Sequence, residues 1–434
     1  MHRKNPQFCA SDAECTTTGR PICDVTGEFD GTANACIPVP EGCPVDRCGC
    51  TAGENLACVG DQLTSCAPDG RSTVTSTCAL MCASEKRCFT FEPSNGLGAA
   101  FAMSESESEV VLPASARVDT TTGTVQDVVG NQISVPSLVV EQDGGSSIRA
   151  FFAHNWIIDD VRVTGSHAIA FVAFESVVIL GVIDASADAD LSGPGAQEDP
   201  AVCVGVTTAT APGCTLVCSA SGAGGGGNAT NGGRGGSLST PGGGEGGAPI
   251  PTSTPLVGGC RGGSLEVTAG TRPGGAGGGG VQIVAGTAVE LSARGMIDVG
   301  GGGGAASAGG GSGGIVVIEA PTVSFDGAST GIVANGGGGG GCGANGADGT
   351  RTTFPAAGPK CIDKSAGNGG TVTLPPEAGQ IKCTSGTCST TGEQFGGGGG
   401  AAGQLLIATQ DGDFSVNGSP SLSVIITKTM LIAK

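Results

Sequence analysis

The stretch Val281–Gly300 reads VQIVAGTAVELSARGMIDVG, and it decides the fold when laid beside Ile169–Ser186, IAFVAFESVVILGVIDAS. In the earlier copy Ile169 and Phe171 are followed eight residues later by Val177 and Ile179, and then by Ile183–Asp184. In the later copy Val281 and Ile283 are followed eight residues later by Val289 and Leu291, and then by Ile297–Asp298. A third copy, Val316–Asn335 (VVIEAPTVSFDGASTGIVAN), has one residue fewer before Val323 and Phe325, and a looser fourth runs from Gln404 to Val424. Apolar residues at i and i+2 mark short strands with one face turned inward. Units of about 20 residues that cannot bury a core alone must stack on one another. The reading is an all-β chain, a parallel β-solenoid, right-handed as parallel crossovers are.

Between copies the chain turns to glycine. Ile297–Ala320, IDVGGGGGAASAGGGSGGIVVIEA, puts five consecutive glycines between two apolar runs. The tracts Gly300–Gly304 and Gly336–Gly341 follow a copy, whereas Gly277–Gly280, Gly313–Gly314 and Gly396–Gly400 precede one. Further tracts at Gly224–Gly227, Gly232–Gly236 and Gly242–Gly247 fall in a long insertion after Asp184. Each unit is therefore expected to leave at one corner and return near it, stacking its excursions along one side. Fixing a backbone costs roughly 1–2 kcal/mol per residue, and glycine loses the most freedom. An isolated tract cannot recover that cost. Neighbouring tracts can, because extended polyproline-II chains without Cβ atoms approach closely enough to hydrogen-bond laterally. The expectation is an ordered polyglycine layer, with flexible loops as the alternative; the polyglycine sandwiches of phage tail-fibre adhesins offer an analogy.

Composition narrows the class. The 434 residues include 83 glycines and 20 cysteines, no tyrosine, one tryptophan (Trp156) and three histidines (His2, His154 and His167). A net charge of −19 argues against nucleic-acid binding, which needs a basic footprint. No segment reaches the ~18–20 apolar residues of a membrane span. The opening MHRKNPQF is basic with no apolar run behind it, so a leader upstream or another export route is expected.

Export is what the cysteines ask for. Twelve lie early, at Cys9, Cys15, Cys23, Cys36, Cys43, Cys48, Cys50, Cys58, Cys66, Cys78, Cys82 and Cys88. Eight more, Cys203, Cys214, Cys218, Cys260, Cys342, Cys361, Cys383 and Cys388, lie in or beside the excursions. Both sets are even, and no histidine or paired CxxC knuckle accompanies them, which favours disulfides over zinc. Such density suits an oxidising compartment. Residues 1–42 read as a four-cysteine module with its linker, 43–91 as an eight-cysteine module of hairpins and turns, and 92–434 as the solenoid with bridged insertions. The early modules have too few apolar residues to fold on burial alone.

The pattern CASDAEC…PICD…C, then C-x7-CVGDQLTSCAPDGRST…CALMC…RC and FEPSNG, resembles small cysteine-rich modules of secreted or surface proteins of myxobacteria. The phrases GVIDASA and GGGGGAAGQLLIAT resemble the glycine-rich region downstream in the same architecture. The resemblance implies an exported protein of this layout and no particular activity.

Chemistry-bearing clusters are few. Asp184, Asp188 and Asp190, in DASADAD, fall on one face of an extended strand and form a candidate Ca²⁺ site, with Glu198 and Asp199 downstream. The alternative is a solvated acidic loop that discourages edge pairing. Asp411 and Asp413 form a second acidic pair. His154 and His167 flank a strand with Asp159 and Asp160 between them, and read as turn or rim residues. Arg149, Arg162 and Arg294 lie in the repeats and are the bases a polysaccharide lyase would draw on. Asn228-Ala229-Thr230 matches a glycosylation sequon. No phosphate-binding G-x-x-x-x-G-K-[ST] loop is present, and no G-x-S-x-G nucleophile elbow occurs in a strand–turn–helix context. No cofactor other than calcium is expected.

The functional expectation is a non-enzymatic extracellular structural or adhesive protein, at a cell surface or in a matrix. The run Leu422–Ala433, LSVIITKTMLIA, is either a buried last rung or an edge for self-association. Its runner-up is a glycan-binding or glycan-cleaving β-helix, which a cleft holding the three aspartates beside an arginine would favour.

Overall fold

The computed structural model describes residues 91–196, 202–210, 221–237, 243–250, 255–267, 270–292, 294–327, 329–361, 364–381 and 395–431, with short pieces of the first ninety (15, 22–24, 35–37, 51, 53–60, 62–68, 72–78, 82–83 and 87–88). The chain divides into two units, Met1–Thr90 and Phe91–Lys434. In the first, Ile22–Asp24 pairs antiparallel with Ala35–Ile37, and Asn55–Val59, Gln62–Cys66 and Thr73–Thr77 form an antiparallel meander. Disulfides Cys15–Cys36 and Cys78–Cys88 staple these pieces. Leu63 and Cys78 pack with Cys58 and Cys88, so the cross-links form much of the small core. The expected hairpins are present.

The second unit is nearly all β and mostly parallel. Its principal elements are α1 (Gly98–Ser104), β1 (Val110–Leu112), β2 (Ala116–Asp119), β3 (Ile148–Ile158), β4 (Val161–Thr164), β5 (Ala168–Ile179) and β6 (Val182–Asp184), followed by three triplets and a last strand, with shorter strands in the connections. The triplets are β7 (Gly280–Ala285), β8 (Ala288–Ser292) and β9 (Met296–Asp298); β10 (Ile315–Glu319), β11 (Thr322–Asp326) and β12 (Gly331–Val333); and β13 (Gln404–Thr409), β14 (Ser415–Asn417) and β15 (Ser421–Ser423). The last strand is β16 (Ile425–Met430).

The observed register reproduces the repeat alignment residue for residue. Ile169 pairs with Val281 and Phe171 with Ile283; Val177 pairs with Val289 and Ile179 with Leu291; Ile183 pairs with Ile297 and Asp184 with Asp298. One sheet runs β1, β3, β5, then splits into β7–β10–β13–β16 and β8–β11–β14; the other runs β2–β4–β6–β9–β12–β15. Columns of identical depth result. Phe151, Phe171, Ile283, Ile318 and Ile407 form one, and Val161, Ile183, Ile297, Ile332 and Leu422 another. Between the two sheets these side chains make one continuous core that also takes in Trp156 and Phe325. The outer face of the larger sheet is covered too: α1 packs on β3 and β5, with Phe101 against Phe91 and Phe174.

Excursions leave after β6, β9 and β12 and return at β7, β10 and β13, so that all depart from one end of the smaller sheet. The glycine tracts inside them are ordered and buried. Gly309 and Ser312 donate to Gly263 and Cys260; Gly310 and Gly313 donate to Gly398 and Ala401; Gly311 and Gly314 donate to Gly302 and Val299. Every third residue thus meets the same neighbour, which is the period of polyproline II and not of a strand. The same tract, 307–314, accepts from Ala223 and Gly226, from Gly275 and Gly278, and from Gly337 and Gly340. Three neighbours accept from its N–H groups and three others donate to its carbonyls, giving six in all, as in hexagonal packing.

Glycine is required here for proximity. A Cβ on Gly311 would overlap the carbonyl of Ala276, and one on Gly226 the carbonyl of Cys260. Neither residue is in the left-handed region. Tracts at the border of the layer relax the rule at one position in three. In 232–236 and 243–247 the middle residues Arg234 and Glu245 are exposed and pair with each other across the outside. Disulfides Cys203–Cys260 and Cys342–Cys361 tie tracts to adjoining loops. Cys23, Cys58 and Cys66 are also disulfide-bonded. Cys9, Cys43, Cys48, Cys50, Cys214, Cys218, Cys383 and Cys388, and the side chain of Cys82, lie outside the described residues.

Candidate functional site

Charged residues gather on the outward face of the smaller sheet. Alternation along β2, β4, β6 and β9 sends Ala116, Val161, Ile183 and Ile297 inward and the next residue of each strand outward. The register therefore builds a ladder across the rungs: Arg117, Arg162, Asp184 and Asp298. Arg162 donates through Nη1 to Asp184 Oδ1 (2.6 Å) and to Ser186 Oγ (3.1 Å). Arg351 arrives from the excursion after β12 and bridges two rungs, with Nη2 at 2.8 Å from Asp184 Oδ2 and Nε at 2.7 Å from Asp298 Oδ2. Arg294, before β9, holds Asp159 (2.8 Å) and Asp160 (3.3 Å).

Asp298 is buried, and desolvation pushes its carboxyl above the usual carboxylate range against the pull of the Arg351 hydrogen bond. Although burial acts against its charge, Arg351 is held above its ordinary value by its bond to Asp298 and by the charges of Asp298, Asp184 and Asp160. Along the ladder lies an open groove of about 740 Å³, which shares Arg162, Asp184 and Arg351 with a second hollow of about 400 Å³. Arg117 lines the larger one and is exposed, and its side chain has no hydrogen-bond or ion-pair partner among the described residues.

The sequence-predicted residues are only partly brought together. Asp184 and Asp188 line the smaller hollow, but Asp188 and Leu191 close a tight turn with Ala189 at φ 49°, so the run is not one extended strand. Asp190 is exposed on that turn, and its carbonyl receives Arg261. Among the described residues no three His, Cys, Asp or Glu side chains gather as a metal-binding group. Glu198 and Asp199 lie outside the described residues. Arg162 and Arg294 are in the groove, whereas Arg149 is spent on the carbonyls of Thr120 and Thr121. His154 packs at a tilt against Phe174 beside Glu175, and His167 sits half-buried on a bend. Asp413 pairs with Lys428, and Asp411 accepts from Thr409 and the Asp413 N–H.

Asn228 is no glycan acceptor in this fold: it is fully buried in the glycine layer, with Nδ2 on the Gly313 carbonyl. Sequence reasoning missed Arg117, Arg351 and Asp298 as site residues. The Ile-Asp signature of the repeats was the available signal for Asp298. A third hollow, about 400 Å³, lies over the larger sheet beside Glu319, Leu406 and Met430. Glu319 is buried there, accepting from the Ser94 N–H (3.0 Å) and Gln282 Nε2 (2.8 Å).

Among the described residues no helix is long and apolar enough to cross a membrane. No protein-family model matches the chain, and no curated protein or solved structure matches it.

Proposed function

We propose that the chain is a non-enzymatic extracellular structural or adhesive protein, built as a right-handed parallel β-solenoid with a polyglycine-II layer along one side. The observation that carries this reading is the layer itself. Roughly a fifth of the residues are glycine, and their tracts are committed to a close-packed lattice with no side chains for chemistry and little room to move. Disulfides within the excursions favour an oxidising location outside the cell, and the resemblance to secreted myxobacterial modules points the same way.

Self-association through the last rung is disfavoured by one side chain. On β16, Lys428 occupies the next position of the inward column that Ile407 ends. There it caps the ring of Phe414 (4.4 Å) and pairs with Asp413. An inward-pointing lysine is a device that keeps edge strands from pairing. The reading is therefore a discrete module that presents a surface, and the surface it engages is cell-envelope glycan.

The test is retention of non-reduced protein on immobilised envelope polysaccharide, with reducing ends and unsaturated uronates measured in the eluate. Retention without new ends is expected. New ends would overturn the non-enzymatic reading, and absence of retention on every envelope fraction would overturn the adhesive one.

A further inference from the structure

We infer that the groove running from Arg117 to Asp184 binds a linear acidic polysaccharide laid across the rungs; this rests on the adhesive reading and names its ligand. The chain is strongly acidic, with 39 Asp and Glu against 20 Lys and Arg. Yet four arginines, Arg117, Arg162, Arg294 and Arg351, converge on one groove. Three are positioned by aspartates and keep N–H groups to spare: Nε of Arg162, Nη1 of Arg351, and Nε and Nη1 of Arg294 have no partner among the described residues. Arg117 has none of its five donors engaged among them. A planar guanidinium already oriented by a carboxylate loses little freedom when it takes a second anion.

Spacing sets the ligand's form. Successive rungs lie about 4.8 Å apart, close to the length of one pyranose unit, so a uronate chain running along the ladder meets one rung per sugar. Val128, exposed on the groove wall, offers an apolar surface to a sugar ring. A free monovalent anion would use only one step of the ladder; a polymer uses several, and its affinity rises with each.

The experiment uses the full chain and labelled polygalacturonate, with dextran sulfate and neutral dextran for comparison. Variants are Arg117→Glu, Arg117→Ala and, outside the groove, Lys360→Glu. Because Arg117 is exposed without a partner, thermal unfolding should be unchanged in both of its variants. Wild type should bind polygalacturonate and not neutral dextran, with affinity falling as salt rises. Arg117→Glu should weaken it at least tenfold, Arg117→Ala less, and Lys360→Glu not at all. Equal loss in Lys360→Glu would show diffuse charge attraction and overturn the site, as would full binding in Arg117→Glu or no acidic-polymer binding by wild type. Retention on envelope fractions alongside such a failure would leave the adhesive reading standing and remove only this groove from it.

Discussion

Replacing Gly311 by alanine tests the glycine layer at its centre. The new Cβ would overlap the Ala276 carbonyl and lie 2.7 Å from the Gly275 oxygen, so the tract 274–279 must retreat. Three hydrogen bonds depend on that tract staying in place: Gly275 N to Gly309 O (2.9 Å), Gly262 N to Gly275 O (2.9 Å) and Gly302 N to Ala276 O (2.8 Å). At about 1 kcal/mol each they account for about 3 kcal/mol. Overpacking adds about 1–3 kcal/mol, and the stiffer unfolded chain returns about 0.4–1 kcal/mol. The net loss is about 3–6 kcal/mol, a large share of the ~5–15 kcal/mol of an ordinary domain.

Gly300→Ala is the matched control in a neighbouring tract. Its Cβ would come no closer than 3.3 Å to any atom, so its stability should stay within about 1 kcal/mol of wild type. Urea unfolding of the non-reduced proteins measures both. If the tracts were loosely held loops, the two substitutions would behave alike. Equal midpoints for Gly311→Ala and Gly300→Ala would therefore refute the packing argument.

Other consequences are as specific. Burial raises the Glu319 carboxyl above its ordinary 4.5, so the folded state binds its proton more tightly than the unfolded state does. That contribution is fully present below about pH 4.5, is lost as pH rises through the folded value, and is flat beyond it. Glu319→Gln, whose amide oxygen can still accept from Ser94 and Gln282, should be more stable than wild type at pH 7 and show a smaller decline in stability from pH 4 to 7 in thermal melts. Opening Cys203–Cys260, separated by 57 residues, should cost about 4 kcal/mol, and opening Cys342–Cys361, separated by 19, about 3 kcal/mol; serine pairs and urea titration would show whether the order holds. Lys428→Val completes the inward column on β16 and should produce concentration-dependent association, read as mass by light scattering, where a monomer at every concentration would contradict the gatekeeping role.

The sheets were legible because their code is local. Ile169, Phe171, Val177 and Ile179 declare their register through spacing alone, and a one-residue slip would turn each of them to solvent. Glycine tracts were legible as a layer, and its edges could have been read as well: unbroken runs such as 300–304 and 336–341 are surrounded, whereas GGRGG and GGEGG face outward at their third-residue period. The groove was not legible. Arg351 lies 167 residues from Asp184 and reaches it only because two excursions return to the same end of the sheet. DASADAD read as extended because Ala189 enters the left-handed region without the Gly or Asn that usually signals it. The covering helix α1 was missed for a similar reason. Seven helical residues carry too little periodicity, and their place is set by the outer face of β3 and β5.

Amide hydrogen exchange at 309–314 and 397–403 in the non-reduced protein tests the glycine lattice most directly. Apart from Ala402, each of these residues donates its amide to a backbone carbonyl, Gly399 for example to Glu377 and Gly400 to Gly337. Opening them requires moving several neighbouring tracts at once. The predicted result is protection equal to that of β7 and β10, lost together with those strands in denaturant. Exchange at the rate of an unstructured glycine peptide, while β7 and β10 stay protected, would contradict the lattice and leave only the sheets.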